Sequence, residues 1–76
     1  MTTAERLFET EFIVETPIGR IRRRGALDFD VLDVECFRTD DSGEGTRVIT
    51  PGGWYHVAAD VDAFREAYTA FLAASL

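Results

Sequence analysis

Cys36 and His56 are the residues of this sequence best suited to covalent chemistry, and the chain holds no other cysteine or histidine. A cysteine beside an imidazole can form a thiolate nucleophile. No sequence motif links the two, and Cys36 alternates with Val34 as a small apolar core residue would. We therefore expect no catalytic site, and a chain that is not an enzyme.

A metal or phosphate site would need ligands that this sequence lacks. One cysteine and one histidine are too few for a structural zinc site. Asp40, Ser42 and Glu44 alternate as the oxygens of calcium loops do, but the closing bidentate glutamate is missing. Gly43–Gly45 is not followed by the Lys-Ser/Thr pair of a P-loop, and Gly52–Gly53 fits a hairpin turn. We expect no metal and no cofactor.

The one basic run of the sequence consists of Arg20, Arg22, Arg23 and Arg24. With Trp54 and Tyr55 on a neighbouring strand, these arginines could form a platform that stacks bases and binds phosphates. The net charge of −6 argues against general affinity for nucleic acid, and Glu11 and Glu15 compete for the same arginines. A small single-stranded nucleic-acid-binding module is therefore the alternative hypothesis, with direct nucleic-acid binding disfavoured.

Acidic residues outnumber arginines by 14 to 8, and half of them lie between Gly25 and Gly45, as Asp28, Asp30, Asp33, Glu35, Asp40, Asp41 and Glu44. On a strand, alternate carboxylates lie about 6.5–7 Å apart, a spacing similar to that of phosphates along a nucleic-acid strand. This pattern predicts a non-enzymatic interaction module of the acidic inhibitor type. Phages and mobile elements use such nucleic-acid mimics against CRISPR and restriction systems.

The predicted partner is a basic protein, in particular a nucleic-acid-binding one that the acidic surface would block. The acids would steer association, and Trp54 and Tyr55, if exposed, would supply the desolvated anchor of the interface. An acidic face that serves only solubility is the simpler interpretation. The sequence leaves open whether the chain forms a homodimer.

Length and composition set the class of protein. A chain of 76 residues forms one domain, residues 1–76, with a small core. The single cysteine excludes an intrachain disulfide, and the charged segment Met1–Glu15 lacks the apolar region of a signal peptide. No apolar run approaches the roughly 20 residues of a membrane span. We expect a cytoplasmic protein without membrane contact.

Hydrophobic periodicity predicts a small α+β domain with a four- to five-stranded antiparallel meander. An amphipathic C-terminal helix begins near Asp60 and packs on one face of the sheet. Capping-box spacing suggests a short helix over Thr2–Glu9, and Gly25 indicates a break between strands. The predicted strands are Glu11–Thr16, Arg20–Arg24, Phe29–Thr39, Arg47–Thr50 and Trp54–Ala58. The third changes phase, which suggests a bulge or bend near Leu32; a helix through Leu27, Val31 and Val34 is the alternative.

The first hairpin has a predicted register. Proline and glycine in Thr16–Gly19 indicate a turn. A four-residue loop then pairs Glu15 with Arg20, Ile13 with Arg22, Glu11 with Arg24 and Val14 with Ile21. Opposite charges on neighbouring strands contribute about 0.2–1 kcal/mol for each pair. A slip of one residue would place arginines beside Val14 and Phe12, which disfavours it.

Overall fold

The computed structural model describes residues 6–74 as one antiparallel sheet with a helix on one face. The elements, in chain order, are β1 Leu7–Thr16, β2 Gly19–Asp28, β3 Cys36–Thr39, β4 Thr46–Thr50, β5 Gly53–Val57 and α1 Val61–Ala74. The strand order in the sheet is β2-β1-β5-β4-β3. This arrangement confirms the predicted α+β class, with five strands and a C-terminal helix.

The sheet consists of two antiparallel pieces that meet at β1 and β5. The β1–β2 hairpin and the β3–β4–β5 meander each form from consecutive strands, as short connections favour. Phe12 pairs with Val57 across the junction, and the amide of Ala58 donates to the carbonyl of Glu11 at 2.8 Å. Beyond Phe12, β1 forms no further ladder pair with β5, although Ile13 and Arg20 of the hairpin still lie beside Trp54 of β5. The molecule measures 46 × 22 × 21 Å.

The predicted register of the hairpin is confirmed. All four predicted pairs occur, and the ladder runs without a slip from Leu7 opposite Asp28 to Thr16 opposite Gly19. The hydroxyl of Thr16 donates to the carbonyl of Gly19 at 2.6 Å and so closes the turn. Gly19 has a φ of +122°, which side-chain-bearing residues rarely adopt, and this explains the glycine of the turn.

The predicted N-terminal helix over Thr2–Glu9 is wrong where the structure describes it. Leu7–Glu9 belong to β1 and pair with Ala26–Asp28. Long-range pairing therefore overrides a local helix signal that was too short to be stable alone. Thr2 and Glu5, which suggested the capping box, lie outside the described residues.

Gly25 does not break the second strand, so the predicted strand end at Arg24 is wrong. β2 continues to Asp28, with Gly25 opposite Thr10. The ring of Phe12 lies over Gly25, and a β-carbon there would stand 2.5 Å from Phe12 Cε2. Glycine is thus required inside the strand because an aromatic ring approaches its backbone closely.

The predicted strand Phe29–Thr39 is wrong over residues 29–35, which form neither a strand nor a helix. The predicted bend near Leu32 is present as a turn over residues 29–31. The amides of Val31 and Leu32 donate to the carbonyl of Asp28 at 3.1 and 2.8 Å, so the chain turns after β2. The next strand starts only at Cys36. The change of phase in the sequence marks a change of chain direction, because Phe29 turns inward to join the core.

The core lies between the sheet and α1 and is rich in aromatic rings. Phe64 is fully buried, and the rings of Phe8, Phe29, Phe37 and Tyr68 pack around it at centroid separations of 5.6, 5.7, 4.8 and 6.0 Å. Such pairs add about 0.5–1.5 kcal/mol each beyond the burial of their area. The aromatic contacts therefore fix α1 on the sheet.

The C-terminal helix begins as predicted. The carboxylate of Asp60 accepts the amide of Ala63 at 2.8 Å, and its carbonyl accepts the amide of Phe64 at 3.0 Å, which is N-cap geometry. Asp62 adds negative charge to the first turn, where the helix dipole favours it. In the part of the chain that the structure describes, no helix is both long and apolar enough to cross a membrane.

Replacing Gly25 by alanine tests the close approach of Phe12. The added methyl group displaces the ring, so the variant should lose about 1–3 kcal/mol of unfolding free energy, as overpacked sites do. Gly52→Ala is the matched control, because a β-carbon at Gly52 meets nothing within 4 Å. Urea denaturation followed by Trp54 fluorescence measures both. Equal stability of Gly25→Ala and the native chain would show that the ring yields freely.

Candidate functional site

Alternation along the strands divides the side chains between the two faces of the sheet. Residues opposite each other in an antiparallel pair share a face, so the strand registers define which side chains point away from α1. We call this side the open face. It carries Glu9, Glu11, Ile13, Glu15, Arg20, Arg22, Arg24, Cys36, Arg38, Arg47, Ile49, Trp54 and His56.

Trp54 and Tyr55 do not lie together as one interface anchor. They are neighbours in β5, so their side chains point to opposite faces. Trp54 lies on the open face, with the Arg47 guanidinium 4.2 Å from its ring centroid. Tyr55 lies on the helix side of the sheet, where its ring centroid is 6.2 Å from that of Phe12. Each face therefore presents one exposed aromatic side chain.

A buried ion cluster ties the β3–β4 loop to the open face. Asp40 is 5% exposed, and its carboxylate accepts the amide of Ser42 at 3.0 Å, the hydroxyl of Ser42 at 2.7 Å and Arg47 Nε at 3.0 Å. His56 Nε2 lies 3.7 Å from the same carboxylate. It also donates to the carbonyl of Glu44 at 2.7 Å, since a carbonyl can only accept. Asp40 is therefore a structural centre of the loop.

The surroundings of Asp40 hold its pKa well below the usual range of aspartate. The hydrogen bond from the Ser42 amide makes the largest contribution, and the one from the Ser42 hydroxyl follows. Burial of the carboxylate acts in the opposite direction, while Arg47 and His56 lower the pKa further. Each donor stabilises the charged form, so Asp40 stays ionised far into the acid range.

Most other arginines of the open face are also paired. Arg22 lies 3.5 Å from Glu11 Oε1 and contacts Glu44 as well. Further ion pairs join Arg20 to Glu15 at 2.5 Å, Arg38 to Asp41 at 2.6 Å and Arg47 to Asp41 at 3.9 Å. Asp40, Asp41 and Glu44 thus neutralise arginines of the same chain, which corrects their predicted place on an unbalanced acidic surface.

The open face is nearly neutral as a result. Its carboxylates, including those of the loop that folds onto it, are Glu9, Glu11, Glu15, Asp40, Asp41 and Glu44, and its guanidinium groups are those of Arg20, Arg22, Arg24, Arg38 and Arg47. The chain has a formal net charge of −6. Most of that excess charge therefore lies outside the open face.

The loop between β2 and β3 carries acids that no arginine neutralises. We call residues 29–35 the acidic loop. Asp30, Asp33 and Glu35 form no ion pair within residues 6–74, whereas the neighbouring Asp28 lies 3.7 Å from Arg6 Nη1. Because this segment is not a strand, its carboxylates lack the regular repeat expected of a nucleic-acid mimic. They nevertheless lie on one short loop with Val31, which is 81% exposed.

A groove separates the acidic loop from the β4–β5 turn. It has a volume of about 500 Å³, within the roughly 300–1,000 Å³ of common binding pockets. Its apolar lining consists of Phe12, Leu27, Val31, Leu32, Pro51 and Tyr55, and Asp28 and Asp33 also line it. We call it the apolar groove. The sequence analysis did not predict this groove. A continuous strand over residues 29–39 would have placed Val31 and Leu32, which form one wall of the groove, away from β5.

Cys36 and His56 do not meet. Cys36 pairs with Ile49, and His56 pairs with Arg47. Because β4 separates their strands, the two backbones are about 10 Å apart. Cys36 is exposed, which corrects its predicted place in the core. Among the described residues, no group of three His, Cys, Asp or Glu side chains could hold a metal ion.

The four arginines of the basic run do not form one platform. Arg20, Arg22 and Arg24 point to the open face, and Arg23 points to the opposite face beside Phe12. Arg20 and Arg22 are held by carboxylates, and Arg47 covers one side of the Trp54 ring. A nucleic acid would have to displace these contacts. The structure therefore supports the alternative of a nucleic-acid-binding module less well than the arginine run in the sequence suggested.

Asp40→Asn tests the ion cluster. The variant should lose about 1.5–3 kcal/mol of unfolding free energy at neutral pH, since hydrogen bonds to charged groups contribute that much. The pKa of Asp40 is lower in the folded than in the unfolded chain. The contribution of ionised Asp40 to the unfolding free energy is therefore complete above its pKa in the unfolded chain, about 4, and declines as the pH falls below that value. The stability difference between variant and native chain should narrow in acid.

Asp41→Asn is the matched control for this measurement. Asp41 lies in the same loop and pairs with arginines, but its side chain is 71% exposed, so its loss should cost less than about 1 kcal/mol. Urea titrations at about pH 7 and about pH 3 compare the three proteins on either side of the aspartate range. A difference for Asp40→Asn that stays constant between the two pH values would contradict the proposed ionisation.

Comparison with protein families, with curated proteins and with solved structures gives no match to this chain. What the chain binds must therefore be inferred from its own residues.

Proposed function

We propose that this chain is a non-enzymatic interaction module that binds a basic protein through the acidic loop. The observation that carries this proposal is the combination of unpaired charge and apolar surface in one place. Asp30, Asp33 and Glu35 have no ion-pair partner within residues 6–74, and Val31 between them is 81% exposed. An exposed valine among uncompensated carboxylates serves neither the core nor the internal charge balance.

Charge and apolar burial would contribute to binding in different ways. Exposed carboxylates attract a basic surface and raise the rate of association. Affinity, however, comes mainly from a few apolar groups that lose contact with water. Val31 and Tyr55, 81% and 42% exposed, supply such groups next to the charges. Trp54 belongs to the other face and is not part of this surface.

In this proposal the chain acts as an acidic inhibitor of the protein that it binds. A nucleic-acid-binding partner has the basic surface that the acidic loop would attract, and a chain docked there would block it by occupying that surface. Among the described residues, Cys36 and His56 stand on strands that do not pair, which supports binding and not catalysis as the role. The single exposed cysteine suits the reducing cytoplasm, where we place the interaction.

Binding to the partner should depend strongly on salt and on the acidic loop. The partner can be isolated from lysate on the immobilised chain, identified by mass spectrometry and purified. Its affinity should fall roughly tenfold or more between about 50 and about 300 mM salt, because salt screens exposed charges. The triple variant Asp30→Asn, Asp33→Asn, Glu35→Gln should weaken binding to a similar extent, as measured by titration calorimetry.

A triple variant of the open face provides the matched control. Glu9→Gln, Glu11→Gln, Glu15→Gln changes the net charge by the same amount but leaves the acidic loop intact, so its affinity should stay near that of the native chain. Equal weakening by both triple variants, or affinity independent of salt, would contradict the proposed surface. Anisotropy with labelled single-stranded oligonucleotides tests the alternative: tight binding that Arg23→Ala and Arg24→Ala abolish would favour a nucleic-acid-binding module.

A further inference from the structure

We propose that the apolar groove receives an extended basic segment of the partner, which inserts an apolar side chain between flanking arginine or lysine residues. This inference rests on the proposed function and adds to it the place of contact and the chemistry of the ligand. The groove and the acidic loop share Val31 and Asp33, so a ligand that fills one necessarily contacts the other.

The floor and walls of the groove explain why an apolar group would enter. Leu27, only 4% exposed, lies at its floor, and Leu32 and Val31 form the wall on the loop side. Phe12 and Tyr55 form the opposite wall, with their rings in edge contact at 6.2 Å. Gly25 allows the close approach of the Phe12 ring, since a β-carbon there would stand 2.5 Å from Phe12 Cε2.

The margin of the groove explains why the apolar group would have basic neighbours. Asp33 has no ion pair among the described residues. The carboxylate of Asp28 accepts the amide of Asp30 at 3.0 Å, and its one ion pair among those residues is with Arg6 at 3.7 Å, with 30% of its side chain exposed. Asp30 follows on the same loop. Cations on either side of an inserted apolar side chain would reach these carboxylates without leaving solvent, so they would lose little hydration.

The polar groups around the groove favour a chain segment over a small molecule. The hydroxyl of Thr50 is already engaged, since it donates to the carbonyl of Gly53 at 2.9 Å. The hydroxyl of Tyr55 makes no hydrogen bond within residues 6–74, so it is available to a peptide backbone. A small-molecule site usually fixes its ligand with several placed polar groups. Apart from the carboxylates of Asp28 and Asp33 at its margin, this groove offers the hydroxyl of Tyr55.

A second copy of this chain is the competing occupant. The hairpin tip presents Ile18, which is 94% exposed, and Arg20 stands beside it. However, Arg20 donates to Glu15 at 2.5 Å, so the tip brings a neutral ion pair and not a free cation to the acidic margin. Charge complementarity therefore favours a foreign basic segment.

Synthetic peptides test the groove directly. The probe is a fluorescein-labelled peptide with one leucine flanked on each side by two arginines. One control peptide replaces leucine by glutamine, and another replaces the arginines by citrulline, which keeps their shape without charge. Anisotropy with the full chain should show at least a tenfold loss of affinity for each control peptide. Equal binding of the glutamine peptide would overturn the inference, as would no binding of the probe at millimolar concentration.

Variants of exposed residues locate the contact without disturbing the fold. Val31→Ser and Asp33→Asn should each lower the affinity for the probe peptide three- to tenfold. Ile18→Ser on the hairpin tip and Asp62→Asn on the helix change exposed residues elsewhere and should leave that affinity unchanged. Sedimentation at several concentrations tests the second copy. A native dimer that both Val31→Ser and Ile18→Ser dissociate would assign the groove to self-association and overturn the inference.

The purified partner separates failure of this inference from failure of the proposed function. If the triple variant of the acidic loop weakens binding of the partner but Val31→Ser does not, the proposed interaction module is supported and the partner does not bind in the groove. If neither change matters, both the groove and the acidic surface are wrong. Weakening by both supports the two proposals together.

Discussion

The burial of Phe29 against Phe64 is the contact on which the remaining structure depends. The two rings meet edge to face at 5.7 Å, and Phe29 reaches this position only because the chain turns immediately after β2. The amide of Phe29 donates to the carbonyl of Arg6 at 2.7 Å, which extends the β1–β2 ladder as far as the turn. Phe29 thereby joins the long hairpin to the helix layer, together with Phe8 of β1, whose ring lies 5.6 Å from that of Phe64.

That turn also creates the surface used in both proposals. With Phe29 in the core, Asp30 and Val31 are directed outward, and the loop passes beside Tyr55 before β3 begins. Had this segment continued as a strand, its acids would have stood on a regular sheet face and its valine would have been half-buried. The groove is therefore a consequence of core packing in a small domain, where one inward residue rearranges a large share of the surface.

The charged side chains of the open face, unlike those of the acidic loop, mostly pair with one another. Its arginines and carboxylates meet through strand pairing and through the loop that Asp40 holds down, so most of the ionic groups satisfy one another. Exposed pairs of this kind contribute little stability each, about 0–1 kcal/mol, but together they leave few free cations on the sheet. Such a face is close to neutral, whereas Asp30, Asp33 and Glu35 of the acidic loop form no ion pair within residues 6–74.

Local signals in the sequence were enough to predict part of this structure. The hairpin register followed from the alternation of Glu11 and Glu15 with the arginines, and the helix followed from the spacing of Phe64, Tyr68 and their neighbours. Both depend on residues close in sequence. The features that were missed depend on distant ones: Gly25 accommodates the ring of Phe12.

The candidate site was harder to predict for the same reason. Adjacent residues of β5 were expected to act together, but a strand sends Trp54 and Tyr55 to opposite faces whatever their types. Acids that look alike in sequence also differ in role: Asp40 is buried by its donors, whereas Asp33 is left to solvent. Composition predicts how much charge a chain has, and only long-range pairing decides which charges stay uncompensated.

The acidic loop is anchored at both ends although its middle is exposed. Phe29 is buried at one end, and at the other the amide of Glu35 donates to the carbonyl of Ile49 at 2.8 Å. A loop fixed in this way has less conformational freedom to lose when it binds, and pre-organisation of that kind raises affinity without any new contact. The same anchoring sets the distance from the carboxylates to the groove. A ligand of the proposed kind would therefore have to match charge and apolar position together, and a surface with both requirements would select among basic proteins.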